Sequence, residues 1–177
     1  MFKKVTVFAG LALVILVGVA RAEEAPAPPP ELKKTVEAFA GNWVFDATVI
    51  APGLSPTKMK MKMDCQKTAL GKGVACSGNA SIPGMGPWQG SFMVGYDLLA
   101  KQVHFMGVTS DEEVHDPKCL WKSDTSLVCE TLKGGLGAQP ATEELAFTAG
   151  PKMLAFKSVT TLKDGSKIDF EGTAKRK

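Results

Sequence analysis

Lys58-Met59-Lys60-Met61-Lys62-Met63-Asp64-Cys65 alternates charged and apolar side chains without a break. Successive side chains of a strand point to opposite faces, so this segment reads as a strand with one face wet and one face in a core. A helix would scatter the same lysines and methionines around its circumference. A solvated face of this kind belongs to an antiparallel sheet, because parallel sheets are covered on both sides. The rest of the chain must therefore complete a sheet that is polar outside and apolar inside.

It has the means to do so. Trp43, Phe45, Ala47 and Val49 form a second alternating row; Trp88, Phe92, Val94 and Tyr96 form a third. Leu154 with Phe156, and Ile168 with Phe170, continue the pattern near the C-terminus. Gly, Pro, Asn and Asp punctuate these rows about every ten residues, which predicts strands over 42–51, 57–67, 73–82, 87–97, 102–110, 113–122, 126–133, 142–149, 153–163 and 167–175. Lys163-Asp164-Gly165-Ser166 is a tight-turn signal between the last two. So many sequential strands would leave exposed edges in an open sheet, and closure removes them. The expected fold is thus all-β, an up-and-down antiparallel β-barrel of about ten strands, preferred over a two-sheet sandwich.

One segment has helical period. Leu32, Val36 and Phe39 fall on one face, Pro30 suits the helix start, and Gly41 suits a left-handed residue after its end. A short N-terminal helix should cap one end of the barrel, with Trp43 on the floor above it.

Residues 1–22 read as a secretory signal. Lys3 and Lys4 precede an apolar run from Val5 to Val19, and Ala20-Arg21-Ala22 offers small residues at a cleavage site. The run is short for a membrane span of ~20 residues, so an uncleaved anchor is the lesser reading. Residues 23–30 form a Pro/Ala-rich tether, and 31–177 form the barrel domain. Cleavage removes three basic residues, leaving 18 basic against 18 acidic. Without a basic excess, nucleic acid is not an expected partner. No stable membrane insertion is expected after cleavage, and the location is periplasmic or extracellular.

Cys65, Cys76, Cys119 and Cys129 all lie in the barrel domain. Four cysteines in an exported chain point to disulfides, with three possible connectivities. Cys65 and Cys76 flank Ala69-Leu70-Gly71-Lys72, and Cys119 and Cys129 flank Ser123-Asp124-Thr125. Two hairpins would place each pair directly opposite, which favours Cys65–Cys76 and Cys119–Cys129. Neither spacing matches a zinc site, where paired cysteines stand two to four residues apart.

Pro30-Glu31-Leu32-Lys33-Lys34, Phe39-Ala40-Gly41-Asn42-Trp43 and Gly84-Met85-Gly86-Pro87-Trp88-Gln89-Gly90-Ser91-Phe92-Met93-Val94-Gly95-Tyr96-Asp97 resemble a bacterial family of calycin-like β-barrels of unknown function. In that family a helix leads into Gly-x-Trp and a central strand ends in Gly-Tyr-Asp. The resemblance covers roughly residues 29–110 and implies a barrel with an interior cavity rather than a known reaction. Nitrobindin-like and lipocalin-like barrels are more distantly similar. The nitrobindin-like proteins hold heme through a histidine near the C-terminal strands; here no histidine follows His115, so heme has no matching ligand.

Chemistry-bearing residues are few. His104, in Gln102-Val103-His104-Phe105-Met106, reads as an outward histidine between inward neighbours, with a cavity-facing anchor as the alternative. Asp111-Glu112-Glu113-Val114-His115-Asp116 is the densest polar cluster and reads as a solvated rim loop; its spacing matches no metal motif. Asp97 reads as a turn residue. No nucleophile elbow, His-Glu-x-x-His or phosphate loop is present, so no catalytic residue, metal or cofactor is assigned. The methionine row would make a soft lining for apolar guests. The sequence thus points to an exported protein holding a small apolar or amphipathic molecule, with Trp43, Phe45, Met59, Met61, Met63, Trp88, Phe92 and Phe105 at the cavity. Two alternatives stand beside it: an enzyme acting on a bound apolar substrate through His104 or the 111–116 rim, and a cell-envelope module with a filled barrel.

Overall fold

A computed structural model describes residues 27–83, 86–110, 114–136 and 139–177. The signal reading over 1–22, the first half of the tether and the rim residues Asp111, Glu112 and Glu113 lie outside these. A helix α1 (Pro30–Phe39) precedes strands β1 (Gly41–Ile50), β2 (Thr57–Thr68), β3 (Gly73–Ile82), β4 (Gly86–Asp97), β5 (Gln102–Thr109), β6 (Val114–His115), β7 (Lys118–Trp121), β8 (Ser126–Cys129), β9 (Leu132–Leu136), β10 (Gln139–Ala149), β11 (Met153–Leu162) and β12 (Lys167–Arg176).

Every described pairing is antiparallel, and the ladder closes on itself. It runs β12–β1–β2–β3–β4–β5–β7–β8–β10–β11 and returns to β12. This is the ten-strand barrel the alternation called for. Two of its staves are broken. The stretch 113–122, expected as one strand, divides into β6 and β7 at Asp116-Pro117, because proline has no N–H to give a ladder. The Pro117 carbonyl still accepts from the Phe105 N–H at 3.1 Å, so the path stays attached to β5. The stretch 126–133 divides likewise into β8 and β9, and β9 pairs with the upper part of β10.

Alternation decides the inside. On β2, Met59, Met61, Met63 and Cys65 are buried while Lys58, Lys60, Lys62 and Asp64 are exposed. Two disulfides staple the wall, Cys65–Cys76 at 2.10 Å and Cys119–Cys129 at 2.00 Å between sulfurs, and in each the partners are directly opposite across a hairpin. Such bonds fit a non-reducing, extracellular-type compartment. Among the described residues no helix is long and apolar enough to cross a membrane.

α1 closes the lower end, burying Leu32, Thr35, Val36 and Phe39. Its last carbonyls lack partners within the helix and are met by the barrel. The Trp43 indole N–H donates to the Phe39 carbonyl at 2.8 Å, and Arg176 Nη2 donates to those of Glu37 at 2.6 Å and Ala38 at 3.4 Å. Gly41 does not act as a simple left-handed cap. Ala40 ends the helix in extended conformation, and Gly41 (φ +136°) leaves room for the Arg176 side chain, whose atoms lie 3.1–3.2 Å from where a Cβ would stand. On the opposite side, Trp121 donates to Thr35 Oγ1 at 3.0 Å, and Lys34 donates to the Ser123 carbonyl at 2.7 Å.

Candidate functional site

Above Phe39 the barrel is not filled. A cavity of about 250 Å³ runs from this floor toward the rim, past Val49, Ala51, Ile82 and Ile168. Phe45, Met59, Met61, Met63, Trp88, Phe92 and Phe105, seven of the eight residues expected at a cavity, line it together. Trp43 does not. It is buried beneath, turned toward the helix carbonyls and stacked under Arg176.

The wall has a simple organisation. Phe45, Phe156 and Phe170 meet edge to face, with centroids 5.4 and 4.7 Å apart, on one side of the β2 methionines. Trp88, Phe92 and Phe105 form the other side at 6.3 and 5.3 Å, and Phe147 and Phe39 complete the lower end. Glycines opposite the rings make the room: a methyl on Gly107 would overlap the Phe92 ring, and one on Gly172 would come within 2.8 Å of Phe156. Flexible methionines between two rigid aromatic groups give a chamber that adapts its shape on one face only.

One polar group interrupts the apolar lining. His115 Nδ1 lies 3.2 Å from Glu143 Oε2, and the Ser158 hydroxyl donates to Glu143 Oε1 at 2.6 Å. All three residues line the cavity, with Thr109 and Thr160. The His115 and Glu143 side chains are only 16% and 18% exposed. Burial by itself would raise the Glu143 carboxyl, but the hydrogen bonds from His115 and Ser158 and the imidazole charge outweigh it and hold the group below the usual glutamate range. It is a carboxylate at neutral pH. The three residue types are those of a hydrolytic triad in the wrong order: the serine proton goes to the carboxylate, whereas a nucleophilic serine gives it to the imidazole.

Sequence reasoning placed His115 on a solvated rim and passed over Glu143 and Ser158. The signal was present. Glu143 is two residues before Leu145 and in phase with Phe147 and Ala149, and Ser158 follows Leu154 and Phe156 at the same period. His104 is on the outer face, its Nδ1 3.4 Å from Asp116 Oδ1. Asp97 accepts from the N–H groups of Leu99 and Ala100 at 2.8 and 2.9 Å, and these two bonds hold its carboxyl low; it is a turn residue. Among the described residues no three His, Cys, Asp or Glu side chains gather to hold a metal. The outward faces of β2–β6 form a larger concavity, with Met93, Met106, Val108 and Val114 exposed in it, but it is a shallow saddle open to solvent.

A closed antiparallel barrel, capped at one end by a helix that leads into Gly-x-Trp and hollow above it, defines a calycin-like barrel. Solved structures agree. The chain is similar to the S-type phycobiliprotein lyase CPES of Guillardia theta, at 12% identity and TM-score 0.60, over 85% of this chain and 98% of that one. It is also similar to Rv2717c of M. tuberculosis, at 9% identity and TM-score 0.63, over 85% and 99%. No family model matches the sequence, and no curated protein matches it.

Proposed function

We propose that this chain is an exported binding protein whose barrel cavity holds a small apolar or amphipathic molecule. The observation that carries the reading is the hollow above Phe39, lined by methionine and aromatic side chains and broken by a few convergent polar groups. Binding sites for small molecules have this composition. At about 250 Å³ the chamber falls just below the ~300–1,000 Å³ of sites for drug-sized ligands, so the guest is compact. Likeness to a phycobiliprotein lyase supports the barrel as a scaffold and brings no activity with it. Export is supported by the signal-like N-terminus and by the disulfides.

The test is a titration with N-phenyl-1-naphthylamine, a neutral dye that brightens in apolar surroundings. Met61→Lys puts an ammonium into the cavity, where an unpaired charge is costly, and should abolish dye binding in a protein whose circular dichroism is unchanged. Met106→Lys, on the outer saddle, should leave it intact. Dye binding that survives Met61→Lys and is lost in Met106→Lys would move the site to the outer face and overturn the reading.

A further inference from the structure

The His115–Glu143–Ser158 group is an expensive thing to place in a methionine and phenylalanine chamber. Removing a carboxylate from water carries a desolvation penalty that its partners must offset. Apolar residues at 143 and 158 would have continued the rows of Leu145, Phe147, Leu154 and Phe156 without that cost. Glu143 is not buried behind the wall; it lines the cavity. Among the described residues, His115 is the only basic side chain that lines the chamber with it.

The acceptor capacity of the group is also larger than its internal bonds require. An ionised carboxylate offers about four lone-pair positions on two oxygens. Ser158 takes one on Oε1 and His115 one on Oε2. Those two bonds fix the carboxylate's orientation from both sides, as a recognition group needs: its position is set before the guest arrives, and little ordering remains to oppose binding. A polar group fixed in an apolar site orients the ligand and discriminates against ligands that leave it unpaired.

Resting on the reading of the cavity as a binding site, we infer that Glu143 selects the guest, and that the guest is a small amine: a compact apolar body carrying one protonated or N–H-donating nitrogen that meets the carboxylate. An acid of the same shape would bring a second negative charge to the Glu143 oxygens, and a neutral alcohol would offer a weaker donor. The expected order of affinity is amine, then alcohol, then carboxylate.

The experiment is competition for bound N-phenyl-1-naphthylamine by heptylamine, heptanol and heptanoate, matched in length and differing only in the head group. On the unaltered protein at neutral pH, heptylamine should displace the dye at a concentration at least tenfold lower than heptanoate, with heptanol between them. Glu143→Gln should bring amine and acid to within about threefold of one another, each displacement being read against that variant's own dye affinity. Ser158→Ala keeps the carboxylate and should keep the order. Equal displacement by amine and acid on the unaltered protein, with dye bound, would overturn the amine inference and leave the binding reading standing. A preference for heptanoate would overturn it too, and would assign selection to His115. Absence of dye binding altogether would remove both. Because the comparison on the unaltered protein needs no variant to fold, it decides the matter alone.

Discussion

The guanidinium of Arg176 lies over the Trp43 ring, 4.6 Å from its centroid, while its Nη2 reaches the last carbonyls of α1. Trp43 opens the first strand and Arg176 closes the last, so one stack joins both ends of the barrel to the helix beneath. Arg176 Nε is buried without a hydrogen-bond partner among the described residues, and it faces the bare Cα of Gly41.

Removing Arg176 should therefore cost more than a surface arginine would. A cation–π contact is worth up to about 2 kcal/mol where desolvated, and a hydrogen bond from a charged donor about 1.5–3 kcal/mol. Partial exposure of the side chain brings the expected loss for Arg176→Ala to about 2–3 kcal/mol in urea unfolding. Arg176→Lys should recover less than half, since an ammonium cannot stack and fork at once. A loss under about 0.5 kcal/mol for the alanine variant would show that the stack is decoration.

The disulfides close loops with sequence separations of 11 and 10. In the chain-entropy account each is worth roughly 3 kcal/mol. Both staple adjacent strands, so their loss should loosen register without unrolling the barrel. Reduction should lower the melting temperature yet leave the far-ultraviolet dichroism of a folded sheet. Peptide mapping without reductant should yield only the Cys65–Cys76 and Cys119–Cys129 pairs; a crossed peptide would mean a different strand order.

Acid should expose the Glu143 group. Its carboxyl sits below its ordinary value of 4.5 in the folded protein, so the ionised form is the one folding favours. That contribution is complete above the unfolded value and disappears as the pH falls through the depressed one. Stability of the unaltered protein should therefore decline more steeply than that of Glu143→Gln as the pH drops below about 4.5. Urea midpoints measured for both down an acid series give the comparison; Asp97 and Asp164, the latter held low by hydrogen bonds from Ser166, are common to both proteins and cancel. Parallel curves would contradict the charge assigned to Glu143.

If the N-terminus is a cleaved signal, protein recovered from outside the cytoplasm should begin at Glu23. N-terminal sequencing decides this, and intact Met1 in a membrane fraction would refute it.

Most of the barrel was legible because its period is two and its outer face is wet: the lysines of β2 and the rows led by Trp43 and Trp88 leave little choice of register. Pro117 carried a warning that 113–122 was not one strand, but a break costs few apolar positions and so barely disturbs the alternation. The cavity's apolar wall could be read in the same way, since burial and alternation are one signal. Phase alone puts its polar residues on the inner face, but does not join them into a group. Glu143 and Ser158 stand where the period asks for apolar residues, and only the partner brought by folding, His115 from 28 positions upstream of Glu143, makes a carboxylate tolerable there. Trp43 shows the reverse error: in phase with Phe45, it is buried as expected, but against the cap rather than the chamber.

The pairing of β1 with β12 has a consequence in time. Trp43 is opposite Arg176 and Asp46 opposite Thr173, so one edge of the first strand waits for almost the last residues of the chain. A polypeptide emerging N-terminus first can form its hairpins one after another, but it cannot finish the ring until nearly everything has been delivered. Contacts so distant in sequence make for slow folding. If the N-terminus is a cleaved signal and the chain crosses a membrane unfolded, that delay is an advantage: the step that would lock it into a rigid cylinder is the one its own topology postpones.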